Sequence, residues 1–165
     1  MKAKRIAFLG LCVSLSMILS YFESLVPPLV TIVPGVKVGF ANLVTIFMLY
    51  KVSVKQTAAV TFVRVVLVSI LFGSGVSMVY SLVGATLSLA VMIPLKKWKL
   101  LSCVGVSVAG GILHNVGQVL TACILMDTSQ IVSYLPVLLI SGTVAGVIIG
   151  LGAGILIQRL DKVKF

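Results

Sequence analysis

The chain has 165 residues, of which 60% are apolar and only 10% are charged, and its mean hydropathy is +1.27. A water-soluble domain typically has about a quarter of its residues charged, so this composition excludes a water-facing globular surface and indicates a membrane protein. The net charge of +10 does not indicate nucleic-acid binding, because the basic residues fall in clusters between apolar runs instead of on one soluble face.

Long apolar runs without strand-like alternation predict an all-α membrane protein, a single transmembrane domain over residues 1–165 with six membrane-spanning helices. The second helix is too short to cross a hydrocarbon core of about 30 Å, since it rises only about 20 Å. The apolar stretch 29–33 in the Pro-rich loop before it could complete the crossing. The expected helices cover about residues 6–22, 38–50, 56–72, 76–95, 100–126 and 134–158.

Most of the basic residues fall at alternate connections, and therefore on one side of this expected bundle. The connections in between carry Glu23, Lys37 and Asp127. Cytoplasmic loops of membrane proteins are enriched in Lys and Arg, so the pattern predicts that both termini face the cytoplasm in a multi-pass protein of the plasma membrane. Eleven of the 13 basic residues form four clusters: Lys2, Lys4 and Arg5; Lys51 and Lys55; Lys96, Lys97 and Lys99; Arg159, Lys162 and Lys164.

Arg64 is the charged residue nearest the middle of an expected helix, in TFVRVVLVS. An arginine at this depth costs about 2.5–3.5 kcal/mol on insertion scales, so we expect it to face the bundle interior. Its partner is either an acid of the chain, Glu23 or Asp127, or a negatively charged group of a ligand. Both interpretations stay open at the level of the sequence.

The fifth helix contains a polar stripe in GGILHNVGQ, residues 110–118. His114, Asn115 and Gln118 lie on one helical face, because residues three and four apart are neighbours on a helix. Three glycines nearby let a ligand or another helix approach closely. The stripe predicts either ligand binding or hydrogen bonds between helices.

Further candidate ligand contacts lie near the expected outer side. Lys37 and Asn42 flank the start of the second helix, and Tyr80 early in the fourth could add an aromatic wall. Together with Arg64 and His114 they would line a cavity of positive character open to the outside. The alternative for the first two is an interfacial lysine and a helix-terminal asparagine.

The sixth helix has glycines at every fourth position, which form one ridge without side chains. Such a ridge predicts a packing seam within the protein or against a partner. The four residues are Gly142, Gly146, Gly150 and Gly154.

The sequence offers no catalytic machinery. It has only three acids, and it contains no paired carboxylates, Asp-rich magnesium motif, nucleotide-binding glycine loop or His/Cys metal-ligand spacing. We therefore expect a protein that is not an enzyme and that binds no metal or cofactor. Energy for any transport would come from a partner or an ion gradient.

Three stretches resemble a known membrane family: PGVKVGFANLVTIFMLY, TFVRVVLVSILFG and GGILHNVGQ. They are similar to the family called heptaprenyl diphosphate synthase component I, or the Gx transporter family, over nearly the whole chain. That family in turn resembles the substrate-binding S components of energy-coupling factor (ECF) transporters.

The resemblance to S components implies a six-helix protein that captures a small, anionic vitamin-like or isoprenoid- or quinone-precursor-like ligand from outside. It also implies partners, a membrane scaffold protein with two ATPases, on which small residues of the first helix dock. Here Ala3 and Ala7, then Gly10 and Ser14, have the four-residue spacing, although Ala3 lies among charged residues.

Two other functions remain open. The synthase name implies a subunit of heptaprenyl diphosphate synthesis, and without catalytic acids this would be a noncatalytic membrane subunit that holds a prenyl diphosphate. A protein from another class, an accessory of membrane redox, flavin or quinone metabolism, would contain a chromophore visible in its absorption spectrum.

Overall fold

The computed structural model describes residues 2–25 and 39–161, and every regular element within these two segments is helical. Helices α3 to α6 begin and end within three residues of the bounds expected from the sequence. A short 3₁₀ helix, Gln130–Tyr134, leads into α6. The six α-helices are α1 (Lys2–Leu25), α2 (Asn42–Lys51), α3 (Val54–Phe72), α4 (Gly75–Lys97), α5 (Cys103–Leu125) and α6 (Leu135–Arg159).

Five of the six helices are long and apolar enough to cross a membrane, and α2 is not. Its ten residues rise only about 15 Å, half of a hydrocarbon core of about 30 Å. Residues 44–49 of α2 are all buried, so this short helix lies inside the bundle. The expectation of six spanning helices therefore holds for five. The proposed membrane insertion of residues 29–33 lies outside the described residues, and the cytoplasmic placement of both termini stays a prediction.

Helix α5 packs against α4 and α6, the two most extensive helix contacts in the bundle. The glycines of α6 permit this approach: a Cβ added at Gly146 would lie 2.6 Å from the Cα of Val108, and one at Gly150 would lie 2.7 Å from the Cα of Val104. Gly142 likewise faces the carbonyl oxygen of Gly111. Three of the four ridge glycines thus lie against α5.

The fourth ridge glycine is different. Apart from the nearby backbone of α6 itself, no described atom lies within 4 Å of a Cβ added at Gly154. The close-packed seam between α5 and α6 therefore ends before this residue.

Helices α1 and α3 pair on another side of the bundle, and α2 contacts both of them as well as α6. An apolar cluster joins the three helices through Cys12 of α1, Val60 of α3, and Val44 and Met48 of α2. A short helix that contacts three others in this way has few side chains left to face lipid.

Polar contacts fix the C-terminal end of α2 among the basic clusters. Lys51 Nζ forms an ion pair with Asp161 at 2.7 Å, and Lys96 Nζ donates a hydrogen bond of 2.8 Å to the carbonyl oxygen of Leu49. The hydrogen bond and the charge of Lys51 hold the pKa of the Asp161 carboxyl below its usual value. Helix α2 therefore runs from this basic end into the interior, where Asn42 begins it.

Candidate functional site

A polar cavity of about 30 Å³ lies where α2 begins inside the bundle. Residues from α1, α2, α3, α4 and α5 form its walls, so the site depends on the packing of most of the protein. A volume of roughly 10–15 Å³ is enough for one water molecule. The cavity therefore has room for water-sized groups. Its lining residues are Ser20, Glu23, Gly39, Asn42, Arg64, Val65, Val68, Ser69, Ser81 and His114.

Arg64 supplies the positive charge of this cavity. The residue is the eleventh of the 19 in α3, near mid-helix, and only 6% of its surface is exposed. Its Nε atom has no hydrogen-bond partner among the described residues. An unsatisfied arginine donor is costly at this depth, and Arg64 brings such a donor to the lining of the cavity.

Glu23 supplies a negative charge in the same cavity. The side chain is 8% exposed, and its charge interacts with that of Arg64. One carboxylate oxygen, Oε1, also accepts a hydrogen bond from the backbone N–H of Gly39. Glu23 was one of two acids that the sequence offered as an internal partner for Arg64, and it is the one that lines the cavity.

Gly39 shapes the entry to α2. Its φ of +91° belongs to the left-handed region that favours glycine, and a Cβ there would lie 2.9 Å from Nδ2 of Asn42. Glycine therefore lets the backbone N–H reach Glu23 while Asn42 lines the cavity. The first two residues of α2, Asn42 and Leu43, donate their backbone N–H groups to the carbonyl oxygens of Gly39 and Phe40. The helix dipole favours a negative group near this end of α2.

His114 reaches the cavity from near the middle of α5, where it is 6% exposed. The ring lies against Gly84 of α4, because a Cβ added at Gly84 would lie 3.0 Å from His114 Nδ1 and 2.8 Å from its carbonyl oxygen. Asn42, Arg64 and His114, which the sequence placed in three different helices, thus line one cavity.

A second, smaller cavity of about 10 Å³ adjoins the first through Asn42. It lies between α2, α4, α5 and α6, and its lining includes Ser88, whose hydroxyl has no hydrogen-bond partner among the described residues. Asn42 is therefore the polar side chain that the two cavities share.

Three other predicted ligand contacts have different surroundings. Asn115 Nδ2 donates a hydrogen bond of 2.6 Å to the carbonyl oxygen of Leu138 in α6, which corresponds to the alternative of hydrogen bonding between helices. Gln118 is 1% exposed, and neither amide atom has a partner in the described segments. Tyr80 packs in an apolar cluster with Val119 instead of lining the cavity.

The remaining candidates lie at the edges of the structure. Lys37 falls outside the described residues. The four small residues proposed as a docking site, Ala3, Ala7, Gly10 and Ser14, are all exposed on α1. Within residues 2–25 and 39–161 no group of three or more His, Cys, Asp or Glu side chains could hold a metal ion.

Comparison with known families gives one match. The family described as heptaprenyl diphosphate synthase component I matches residues 12–156, which run from the first helix to near the end of the sixth. The chain belongs to the heptaprenyl diphosphate synthase component I family. No curated protein and no solved structure shows significant similarity to this chain. This member of the heptaprenyl diphosphate synthase component I family is a membrane protein of multiple apolar helices, five of them long enough to span a bilayer.

Reasoning from the sequence did not identify the polar face of α1 in this protein. Ser16, Ser20 and Glu23 are all buried, at 2%, 5% and 8% exposure. Their spacing of four and three residues puts them on one helical face, a signal of the same kind as the stripe on α5. Ser69 and Ser81 also line the cavity, but single serines in apolar helices carry no comparable signal.

Proposed function

We propose that this protein is a membrane-embedded substrate-binding component that captures a small ligand with a negatively charged group and delivers it to partner proteins. The observation that carries this proposal is Arg64, a buried guanidinium near mid-helix with an unused donor in a polar cavity. Polar residues at membrane depth typically mark ligand or transport sites. Arg64 would bind the negative group, while Asn42 and His114 supply further hydrogen bonds.

The small size of the cavity is part of the proposal. A volume of about 30 Å³ is far below the roughly 300–1,000 Å³ of pockets that enclose drug-sized ligands. Binding of a vitamin-sized molecule therefore requires the lining elements to move apart. The contacts between Glu23, Gly39 and Arg64 are the polar interactions that such a movement would rearrange.

The partner in this proposal is an ECF-type module, a membrane scaffold with two ATPases. The chain has no nucleotide-binding loop of its own, so uptake against a gradient needs an external source of energy. The exposed face of α1 with Ala3, Ala7, Gly10 and Ser14 is the proposed docking surface, since small residues let another helix approach closely. The outer Lys37 remains a proposed ligand contact.

A second candidate function follows from the family description. A component I of heptaprenyl diphosphate synthase would be a noncatalytic membrane subunit next to a catalytic partner. The cavity would then receive the diphosphate group of a prenyl chain, with Arg64 as its cationic partner. Glu23 in the same cavity disfavours a group with several negative charges, so we prefer the first function.

Affinity purification in mild detergent with mass spectrometry of proteins and small molecules separates the two functions. Recovery of a scaffold with paired ATPases is the expected result. Recovery of a soluble prenyl diphosphate synthase without ATPases would favour the second function.

Substitution of the cavity residues tests the site itself. We expect Arg64→Gln and His114→Leu to abolish recovery of the bound small molecule while the protein still elutes as a folded species in gel filtration. Arg159→Gln, a change of an exposed arginine at the end of α6, is the matched control and should retain the ligand. Unchanged ligand recovery in Arg64→Gln would rule out this cavity as the binding site.

A further inference from the structure

Ser88 of α4 is a buried serine whose hydroxyl lacks the usual contact within its own helix. Serine and threonine hydroxyls inside helices can donate to the carbonyl oxygen four residues earlier. Ser16 does so to Cys12 in α1, and Thr86 does so to Leu82 in α4. Ser88 is 3% exposed, and its Oγ atom has no hydrogen-bond partner among the described residues. Its hydroxyl is therefore a buried polar group without the backbone contact that Thr86 has.

The surroundings of Ser88 place this hydroxyl at the second cavity. The residue lines that cavity, and so does Gly110 of α5. A Cβ added at Gly110 would lie 3.1 Å from Ser88 Oγ, and it would also collide with Sδ of Met92. The glycine at position 110 therefore keeps the space beside the Ser88 hydroxyl open.

The size and polarity of the second cavity suit one water molecule. Its volume is about 10 Å³, close to the roughly 10–15 Å³ that one water needs and too small for an organic molecule. The side chains of Asn42, Ser88 and Ser107 line it, and each of them can donate and accept hydrogen bonds. Buried waters typically make about three hydrogen bonds to such groups. The lining thus offers as many polar side chains as a buried water uses.

Asn42 gives this position a connecting role between helices. Its side chain begins α2 and lines both cavities, whereas Ser88 belongs to α4 and Ser107 to α5. An unpartnered hydroxyl is costly to bury, and a bridging water is nearly as favourable as a direct hydrogen bond. A water among the three side chains would satisfy Ser88 and connect the start of α2 with α4 and α5.

We infer that the second cavity binds one ordered water molecule, which joins the hydroxyls of Ser88 and Ser107 to the side-chain amide of Asn42. The water holds Asn42 at the boundary between the two cavities and forms a polar connection from α2 to α4 and α5. This inference goes beyond the proposed function, because the water site exists whether or not the first cavity binds a ligand.

Thermal melting of the full-length protein in lipid nanodiscs tests the water site through Ser88→Ala. Ser14→Ala is the matched control, because it makes the same change at an exposed position of α1. Loss of the Ser88 hydroxyl removes a hydrogen bond of the water. We therefore expect Ser88→Ala to melt about 2–4 °C below the control, the shift typical for the loss of one net hydrogen bond in a chain of this size. A melting temperature equal to or above that of the control would overturn the inference, since removal of an unpartnered hydroxyl does not destabilise.

A double-mutant cycle with Asn42→Ala tests the bridge itself. Residues that share a partner have non-additive effects on stability. Ser88→Ala should therefore lower the melting temperature less in the Asn42→Ala background than in the unmodified protein, whereas Ser14→Ala should have the same effect in both. Additive effects of Ser88→Ala and Asn42→Ala would show that the two residues share no water, and this would overturn the inference.

A crystal structure of the unmodified protein gives a test that does not depend on the folding of any variant. We expect density for one water within about 3 Å of Ser88 Oγ, with Asn42 and Ser107 as its other partners. Absence of this density, at a resolution that shows ordered waters elsewhere in the bundle, would overturn the inference. A direct hydrogen bond between Ser88 and Asn42 would do the same.

Discussion

Gln118 is the most deeply buried polar side chain of α5, at 1% exposure, and neither of its amide atoms has a partner within the described residues. An unsatisfied buried amide costs about 1–3 kcal/mol. We therefore expect Gln118→Met, which keeps the volume and removes the polar atoms, to raise the free energy of unfolding by about 1 kcal/mol or more. Thermal melting of the ligand-free protein measures this.

A matched control for this change is Gln56→Met near the start of α3. Gln56 Oε1 accepts hydrogen bonds from Arg5 at 2.9 Å and Ser53 at 3.1 Å, so its loss should leave the melting temperature unchanged or lower it. A clear destabilisation by Gln118→Met would mean that the amide has a polar partner in solution, such as a bound water.

Asn115 has a structural contact that the neighbouring His114 does not share. Its side chain donates to the carbonyl oxygen of Leu138, and hydrogen bonds between membrane helices contribute about 0.6 kcal/mol on average. Asn115→Ala should therefore lower the melting temperature modestly and leave ligand affinity unchanged. Thermal melting and ligand titration of the same sample test both statements. A loss of ligand affinity without a change in melting temperature would instead indicate that Asn115 contacts the ligand.

At the scale of elements, the seam between α5 and α6 makes a sharp prediction about its glycines. Gly146→Ala would put a Cβ 2.6 Å from a backbone atom of Val108, so the helices must separate. Overpacking of this kind costs typically about 1–3 kcal/mol. We expect a lower melting temperature for this variant.

The same helix provides the control. At Gly154 no described atom outside the nearby backbone of α6 lies within 4 Å of an added Cβ, and alanine is favoured over glycine in helices by up to about 1 kcal/mol. Gly154→Ala should therefore leave the melting temperature unchanged or raise it. Equal destabilisation by both substitutions would contradict a seam that is limited to the other three glycines.

The sequence predicted the helices well and their neighbours poorly. Apolar runs and basic clusters marked the bounds of α3 to α6, because a lipid-facing helix has few polar residues along its length. Helical periodicity also grouped His114, Asn115 and Gln118 on one face of α5. The residues of one such face can, however, contact different neighbouring helices. His114 faces the cavity and Asn115 faces α6, a division that depends on how α4 and α6 pack.

The pairing of Glu23 with Gly39 could not be predicted from the sequence either. The two residues are separated by a Pro-rich segment, and only the three-dimensional fold brings the turn at Gly39 back to α1. The neighbours of Tyr80 were not predictable for a related reason. Its aromatic ring suited a ligand wall, yet the apolar surface of Val119 and Leu138 was available to cover it.

At the scale of the whole molecule, the distribution of basic residues predicts the orientation in the membrane. Two variants test this orientation, Lys97→Cys and Thr128→Cys, each made in a protein whose native cysteines are replaced by alanine. The two introduced cysteines should react differently with a membrane-impermeant maleimide. We expect the cysteine at Thr128 to be labelled in intact cells and the one at Lys97 only after the membrane is opened, because basic loops face the cytoplasm.

Each cysteine variant is the control for the other in this labelling experiment. Labelling of the residue-97 variant in intact cells, with protection of the residue-128 variant, would show the opposite orientation. The cavity would then face the cytoplasm, and capture of a ligand from outside would no longer be possible.

The short length of α2 has an electrical consequence. About 15 Å of helix separates the cavity from the basic end of the bundle, which is half of the hydrocarbon thickness. Moving one elementary charge across the whole membrane involves about 2.3 kcal/mol per 100 mV, so the distance that α2 spans corresponds to roughly half of that. Uptake of a ligand with a net charge would therefore depend on the membrane potential, whereas uptake of a ligand without net charge would not.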